Sequence, residues 1–92
     1  MELSEYQQKA AHTAQYPGVG NNFIYPALGL AGETGEVCEK IKKVIRDRGG
    51  EVDAETREAI RKELGDVLWY VSQLATELGL DLGGQLARGH EH

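Results

Sequence analysis

The chain has a single cysteine, Cys38, in 92 residues. That excludes an intramolecular disulfide and any zinc site built from several cysteines. Cys38 itself reads as a small apolar residue of the interior. Positive charge is also scarce, with 10 Lys and Arg against 15 Asp and Glu and a net charge of −5. This balance excludes non-specific binding to nucleic-acid polymers, which requires a basic surface to neutralise phosphates. No run is long and apolar enough to cross a bilayer, so membrane partners are not expected. The first residues, Met1-Glu-Leu-Ser-Glu, lack the basic start and apolar core of a signal peptide, and the expected location is cytoplasmic. Strand-like alternation, internal repeats and low-complexity tracts are missing too. The fold class expected is all-α.

Hydrophobic residues, 40% of the chain and spread throughout it, are enough for a folded domain. One domain over residues 1–92 is the expectation. A helical protein of this size buries a limited share of its surface, so assembly into a homo-oligomer, a dimer or tetramer, is expected to complete a four-helix-bundle-like core. Ser4 and Gln7 have the spacing of a capping box, which predicts a first helix over 5–15, closed by Pro17-Gly18. Pro26 suits the first position of a second helix running to Arg46. Gly49-Gly50 break the pattern, and Asp53 caps a third helix from Ala54 to Leu78, with Gly79 after its end. Asp81 is placed to cap a short fourth helix through Ala87.

In the third helix Ile60, Leu64, Val67, Val71, Leu74 and Leu78 recur at steps of four and three, the seam of one helix packed along another. Leu30, Thr34, Val37, Ile41 and Val44 form the matching seam of the second, with Gly29, Gly32 and Gly35 alongside. Glycines inside a helix each cost about 1 kcal/mol relative to alanine, so three of them point to close backbone approach or to room for a ligand.

One residue before each seam position runs a second row. It reads Glu33, Glu36, Lys40, Lys43 on the second helix and Glu63, Asp66, Tyr70, Gln73 on the third. Each row holds two carboxylates three residues apart, about 4.5 Å along the axis. In an antiparallel hairpin turning at Gly49-Gly50, position 36 is level with 63 and 33 with 66, so the four carboxylates are expected to converge. Such a group repels itself unless a cation joins it. Ligands that are all carboxylate oxygens suit magnesium, with manganese as a substitute. A di-iron bundle would need histidines at set positions on the long helices, and neither helix has one.

These residues resemble a known family. Tyr25-Pro-Ala-Leu-Gly-Leu-Ala-Gly-Glu-Thr-Gly-Glu-Val, Glu39-Lys-Ile-Lys-Lys and Lys62-Glu-Leu-Gly-Asp-Val-Leu-Trp-Tyr are similar to the MazG-type nucleotide pyrophosphohydrolases, over almost all of residues 5–82. The family motif, Glu-x-x-Glu and then Glu-x-x-Asp, is met by Glu33, Glu36, Glu63 and Asp66. The resemblance implies magnesium-dependent hydrolysis of (deoxy)nucleoside triphosphates between the α and β phosphates, giving monophosphate and pyrophosphate, in an oligomer. Members of the family often follow Asp81-Leu82 with a helix carrying an asparagine and basic residues that reach the phosphates. Here that position falls near Gly89, and phosphate binding is expected to be weak or to come from another subunit.

Within that chemistry all four carboxylates are metal-ligand candidates, and Glu33 or Glu36 is the candidate to orient or deprotonate the attacking water. Lys40, Lys43 and Arg46 are candidates for the β and γ phosphates. Tyr25, Trp69 and Tyr70 are candidates for stacking on the base, ahead of Phe23 and His12. Phosphoribosyl-ATP or dUTP as substrate, and a non-catalytic helical oligomerisation module, are the competing readings.

Overall fold

The computed structural model describes residues 1–84. It is all-helical, with no strand among the described residues. Helix α1 covers Leu3–His12, α2 Ile24–Arg48 and α3 Ala54–Glu77, followed by a helical turn that begins at Leu82. The remainder of the fourth helix expected through Ala87, and the tail position near Gly89, lie outside the described residues. No described helix is long and apolar enough to cross a membrane.

Helices α2 and α3 form the antiparallel hairpin. Its turn is built as the sequence requires. Gly49 and Gly50 adopt φ of 62° and 88°, left-handed values that are costly for other residues. The Gly50 N–H closes onto the Val44 carbonyl at 3.1 Å, ending α2. Asp53 then caps α3, accepting the Thr56 N–H at 2.7 Å.

The start of α2 differs from the sequence expectation. It begins at Ile24, two residues before Pro26, because the Asn22 side chain accepts the Tyr25 N–H at 3.1 Å. Pro26 falls inside the first turn, where its missing N–H costs nothing. Helix α1 begins at Leu3 without a side-chain cap. Ser4 and Gln7 do not form a capping box, since both have partners at the far end of α3. The Ser4 hydroxyl donates to Asp81 at 2.7 Å. Gln7, which is buried, donates to Thr76 Oγ1 and the Leu80 carbonyl and accepts the Leu82 N–H.

Helix α1 packs against α3, and Ser72, Gln73 and Ala75 of α3 are buried. The loop between α1 and α2 is tied down by one carboxylate. Glu77 accepts the Tyr16 hydroxyl and the N–H groups of Gly20 at 2.8 Å and Asn22 at 2.9 Å. Gln73 holds the same hydroxyl from the buried side at 2.9 Å. Tyr16 also stacks on Tyr25, with ring centroids 4.8 Å apart, so the loop positions the first turn of α2.

Candidate metal centre and its groove

The enclosed face of the hairpin keeps part of the apolar seam read in the sequence: Val44 is buried, and Leu30, Val37, Ile60, Val67, Val71 and Leu74 are half-buried. Ile41 and Leu64, both placed in that seam, are 42% and 53% exposed. The row of Glu33, Lys40 and Glu63 is more enclosed than either. Glu33 and Glu63 are therefore partly enclosed between the helices, whereas Glu36 and Asp66 are exposed on the shoulder where the sequence placed them.

Glu33, Glu63 and Asp66 each offer an oxygen, and these oxygens lie within 4.8 Å of one another. Glu36 is outside this group. It stands on the exposed rim, and its carboxylate lies 3.9 Å from Lys40 Nζ. The same ammonium lies 3.6 Å from Glu63 Oε1.

Two properties of the cluster mark it as short of positive charge. Glu63 Oε2 is buried and has no hydrogen-bond partner. Glu33 is pushed up to about 7, first by a hydrogen bond with the Glu63 carboxyl, then by burial and by the charges of Glu63, Asp66 and Glu36. An uncompensated carboxylate oxygen facing two other acids, all hard oxygen donors, fits a divalent cation of the magnesium or manganese type. Glu33, Glu63 and Asp66 would hold it, with Glu36 one turn away.

The groove has different walls on the two sides of the cluster. Toward the start of α2, Gly29 faces Tyr70, and a Cβ on Gly29 would lie 2.2 Å from the Tyr70 ring. Of the three glycines read as close-approach positions, only this one is close to a neighbour. Gly32 and Gly35 face open space. Burial, then the charges of Tyr25, Glu33 and Asp66, raises the Tyr70 phenol. Trp69 packs edge-on to Tyr70 at 5.2 Å, and its indole N–H donates to Thr13 Oγ1 at 3.0 Å. That bond ties Trp69 to the end of α1. Tyr25 has one ring face covered by Tyr16 and is 43% exposed.

Toward the hairpin turn lies a cavity of about 170 Å³, lined by Lys40, Lys43, Val44, Arg48, Glu55, Thr56 and Ala59. The structure thus brings Lys40 and Lys43 together but leaves Arg46 out, because its guanidinium binds Asp47 at 2.8 and 2.9 Å. Arg48 takes the place expected of Arg46. The sequence carried the signal, since Lys40, Val44 and Arg48 follow at steps of four on one face. Tyr6 of α1 was also missed; its phenol is raised by burial and then by the charge of Asp66.

The model of the MazG nucleotide pyrophosphohydrolase domain matches residues 26–88. This chain belongs to that family. The matched segment includes α3, all of α2 but its first two residues, and all four carboxylates of the Glu-x-x-Glu and Glu-x-x-Asp pairs. A curated relative, the Gene 37 protein of Mycobacterium phage L5, is 45% identical over 83 residues, covering 85% of this chain and 73% of its own length. Its name states no activity. No solved structure matches. MazG proteins are in general divalent-metal-dependent pyrophosphohydrolases, and this chain has an acidic cluster of Glu33, Glu63 and Asp66 that could hold a metal ion.

Proposed function

We propose that this chain hydrolyses nucleoside or deoxynucleoside triphosphates to the monophosphate and pyrophosphate, with magnesium, as a cytoplasmic enzyme of the nucleotide pool. The observation that carries this reading is the convergence of Glu33, Glu63 and Asp66 from facing helices, with a buried Glu63 oxygen left unpartnered. Magnesium would supply positive charge against the acids and against the charge that develops on the phosphate oxygens. Glu33, Glu63 and Asp66 would hold the cation, with Glu36 on the rim beside them as a further candidate ligand. A glutamate of the first pair, Glu33 or Glu36, orients water and takes its proton. The water oxygen bonds to the α phosphorus as the bond from that phosphorus to the β-bridging oxygen breaks, and pyrophosphate leaves.

The same reading assigns a second copy of the chain to the outer side of the hairpin. Ile24, Leu28, Ile41 and Ile45 of α2 are exposed, as are Leu64 and Leu68 of α3. On α2 they fall at steps of four and three with Ala31, Gly35 and Cys38 between them, the spacing of a helix packed on another helix; Cys38 is exposed in the single chain and not interior as the sequence suggested. A homo-oligomer, a dimer or a tetramer, covers them.

The test is release of pyrophosphate from a panel of ribo- and deoxynucleoside triphosphates, dUTP and phosphoribosyl-ATP included, with and without magnesium. Magnesium-dependent pyrophosphate and monophosphate in equal amounts is the expected result. If no compound is turned over and Glu63→Gln matches the wild type throughout, the reading is wrong.

A further inference from the structure

We propose that the substrate lies in the hairpin groove in one direction only. Its terminal phosphates enter the basic cavity of Lys40, Lys43, Arg48 and Thr56 beside the Gly49-Gly50 turn, and its nucleoside points toward Gly29 and Tyr70. Naming the ligand rests on the pyrophosphohydrolase reading; the existence of an anion site in that cavity does not.

The argument begins with the order of chemistry along the groove. Gly29 and Tyr70 make an aromatic wall at one end, the carboxylates stand in the middle, and the basic cavity lies at the turn. A nucleoside triphosphate carries its parts in the same order: an aromatic base, a scissile phosphate and an anionic diphosphate tail. The reverse orientation would set the tail against Tyr70 and Glu33 and the base among three cations.

The spacing agrees. Glu63 and Ala59 are one turn apart on α3, roughly 6 Å along the axis. A terminal phosphate beyond a scissile phosphate at Glu63 therefore reaches the cavity wall. Lys40 joins the two regions, because it lines the cavity and its Nζ lies 3.6 Å from Glu63.

The cavity also has donors left to use. Lys43 forms no ion pair among the described residues. Arg48 binds Asp53 through Nη1, and a guanidinium has further N–H groups to give. The hydroxyl of Thr56 stands on the first turn of α3, a 24-residue helix whose N-terminal dipole favours an anion. Glu55 is the one acid in the lining. The result is a site that prefers triphosphates to diphosphates, since only the longer tail fills it.

The experiment titrates inorganic pyrophosphate into ¹⁵N-labelled protein with a chelator present. Amide shifts are expected around Lys43, Val44, Thr56 and Ala59. Lys43→Gln should weaken binding roughly tenfold, the scale of one charge-assisted hydrogen bond, and Lys43→Arg should retain it. Lys43 is exposed, so its replacement leaves the fold intact, and unchanged thermal unfolding checks this. Shifts elsewhere, no shifts, or equal affinity in Lys43→Gln would overturn the proposal. In kinetics, Lys43→Gln should lower the preference for triphosphate over diphosphate nucleotides by about the same factor; an unchanged preference also overturns it. Pyrophosphate shifts at the cavity in a chain that turns over no nucleotide would leave the anion site standing and remove the hydrolase reading alone.

Discussion

Lys40 Nζ lies 3.6 Å from Glu63 Oε1, on the carboxylate whose other oxygen is buried without a partner. Among the described residues this ammonium is the one that pairs with an acid of the cluster, and its side chain is only 28% exposed, so solvent screens the pair weakly. Lys40→Gln should therefore destabilise the metal-free chain, by about 1 kcal/mol. Magnesium should restore most of the loss, making its stabilising effect larger in the variant than in the wild type. Thermal melts with and without magnesium check this. A magnesium effect of equal size in both proteins would show that Lys40 does not act as the counter-charge.

The acids should separate by what each loses. Glu63→Gln removes a ligand enclosed between the helices, with 20% of its side chain exposed, and should abolish both divalent-metal binding and pyrophosphate release. Glu36 is 60% exposed and stands outside the three-oxygen group. Glu36→Gln should keep most of the metal affinity of the nucleotide-free chain while lowering kcat by roughly 10²-fold or more, the scale of losing a general base. Metal titration by calorimetry alongside steady-state kinetics distinguishes the two patterns.

How far these residues were legible in the sequence follows from what kind of signal each one leaves. Turn chemistry is local, so Gly49-Gly50, the Asp53 cap and the extent of α3 could be read directly. The level pairing about that turn was also legible, and Gly29 against Tyr70 obeys it as 33 against 66 does. The exposure of part of the seam was not. Apolar periodicity favoured Ile41 and Leu64 as core, yet Glu33, Lys40 and Glu63 are half-buried and those two apolar residues are exposed. A seam that contains functional charge and an outer face that stays apolar produce two stripes on one helix, and periodicity alone cannot rank them. Gln7, Gln73 and Glu77 were missed for a different reason. Their partners are as many as 75 residues away in sequence, beyond any local pattern.

Glu77 gives a pH dependence with a definite sign. The Tyr16 hydroxyl, then the Asn22 and Gly20 N–H groups, hold its carboxyl below the ordinary glutamate value. A carboxyl lowered in the folded state stabilises the chain above its unfolded pKa, and that contribution is lost as pH falls through the lowered folded value. Wild type should exceed Glu77→Gln in stability at neutral pH, and the gap should close below about pH 4.5, the unfolded glutamate range. Urea unfolding of both proteins across that range measures it. A gap that stays constant would mean that Glu77 acts by packing and not by charge.

The glycines of α2 should divide in the same experiment. Gly29→Ala sets a Cβ 2.2 Å from the Tyr70 ring. Since the ring must move, a loss of about 1–3 kcal/mol is expected, together with weaker nucleotide binding where the base lies against Tyr70 as proposed. Gly35 has nothing within 4 Å of its would-be Cβ. In a single chain Gly35→Ala should stabilise α2 by up to about 1 kcal/mol, the helix-propensity gain. Gly35 lies in the outer row with Leu28, Ala31 and Cys38, however, the surface assigned to a second copy. If two chains pack there with close backbones, Gly35→Ala weakens the assembly instead. Sedimentation of the wild type and of Gly35→Ala over a range of concentrations decides between them. A lower association constant with unchanged monomer helicity places the partner helix on Gly35, and a higher melting temperature with no change in mass leaves that face to solvent.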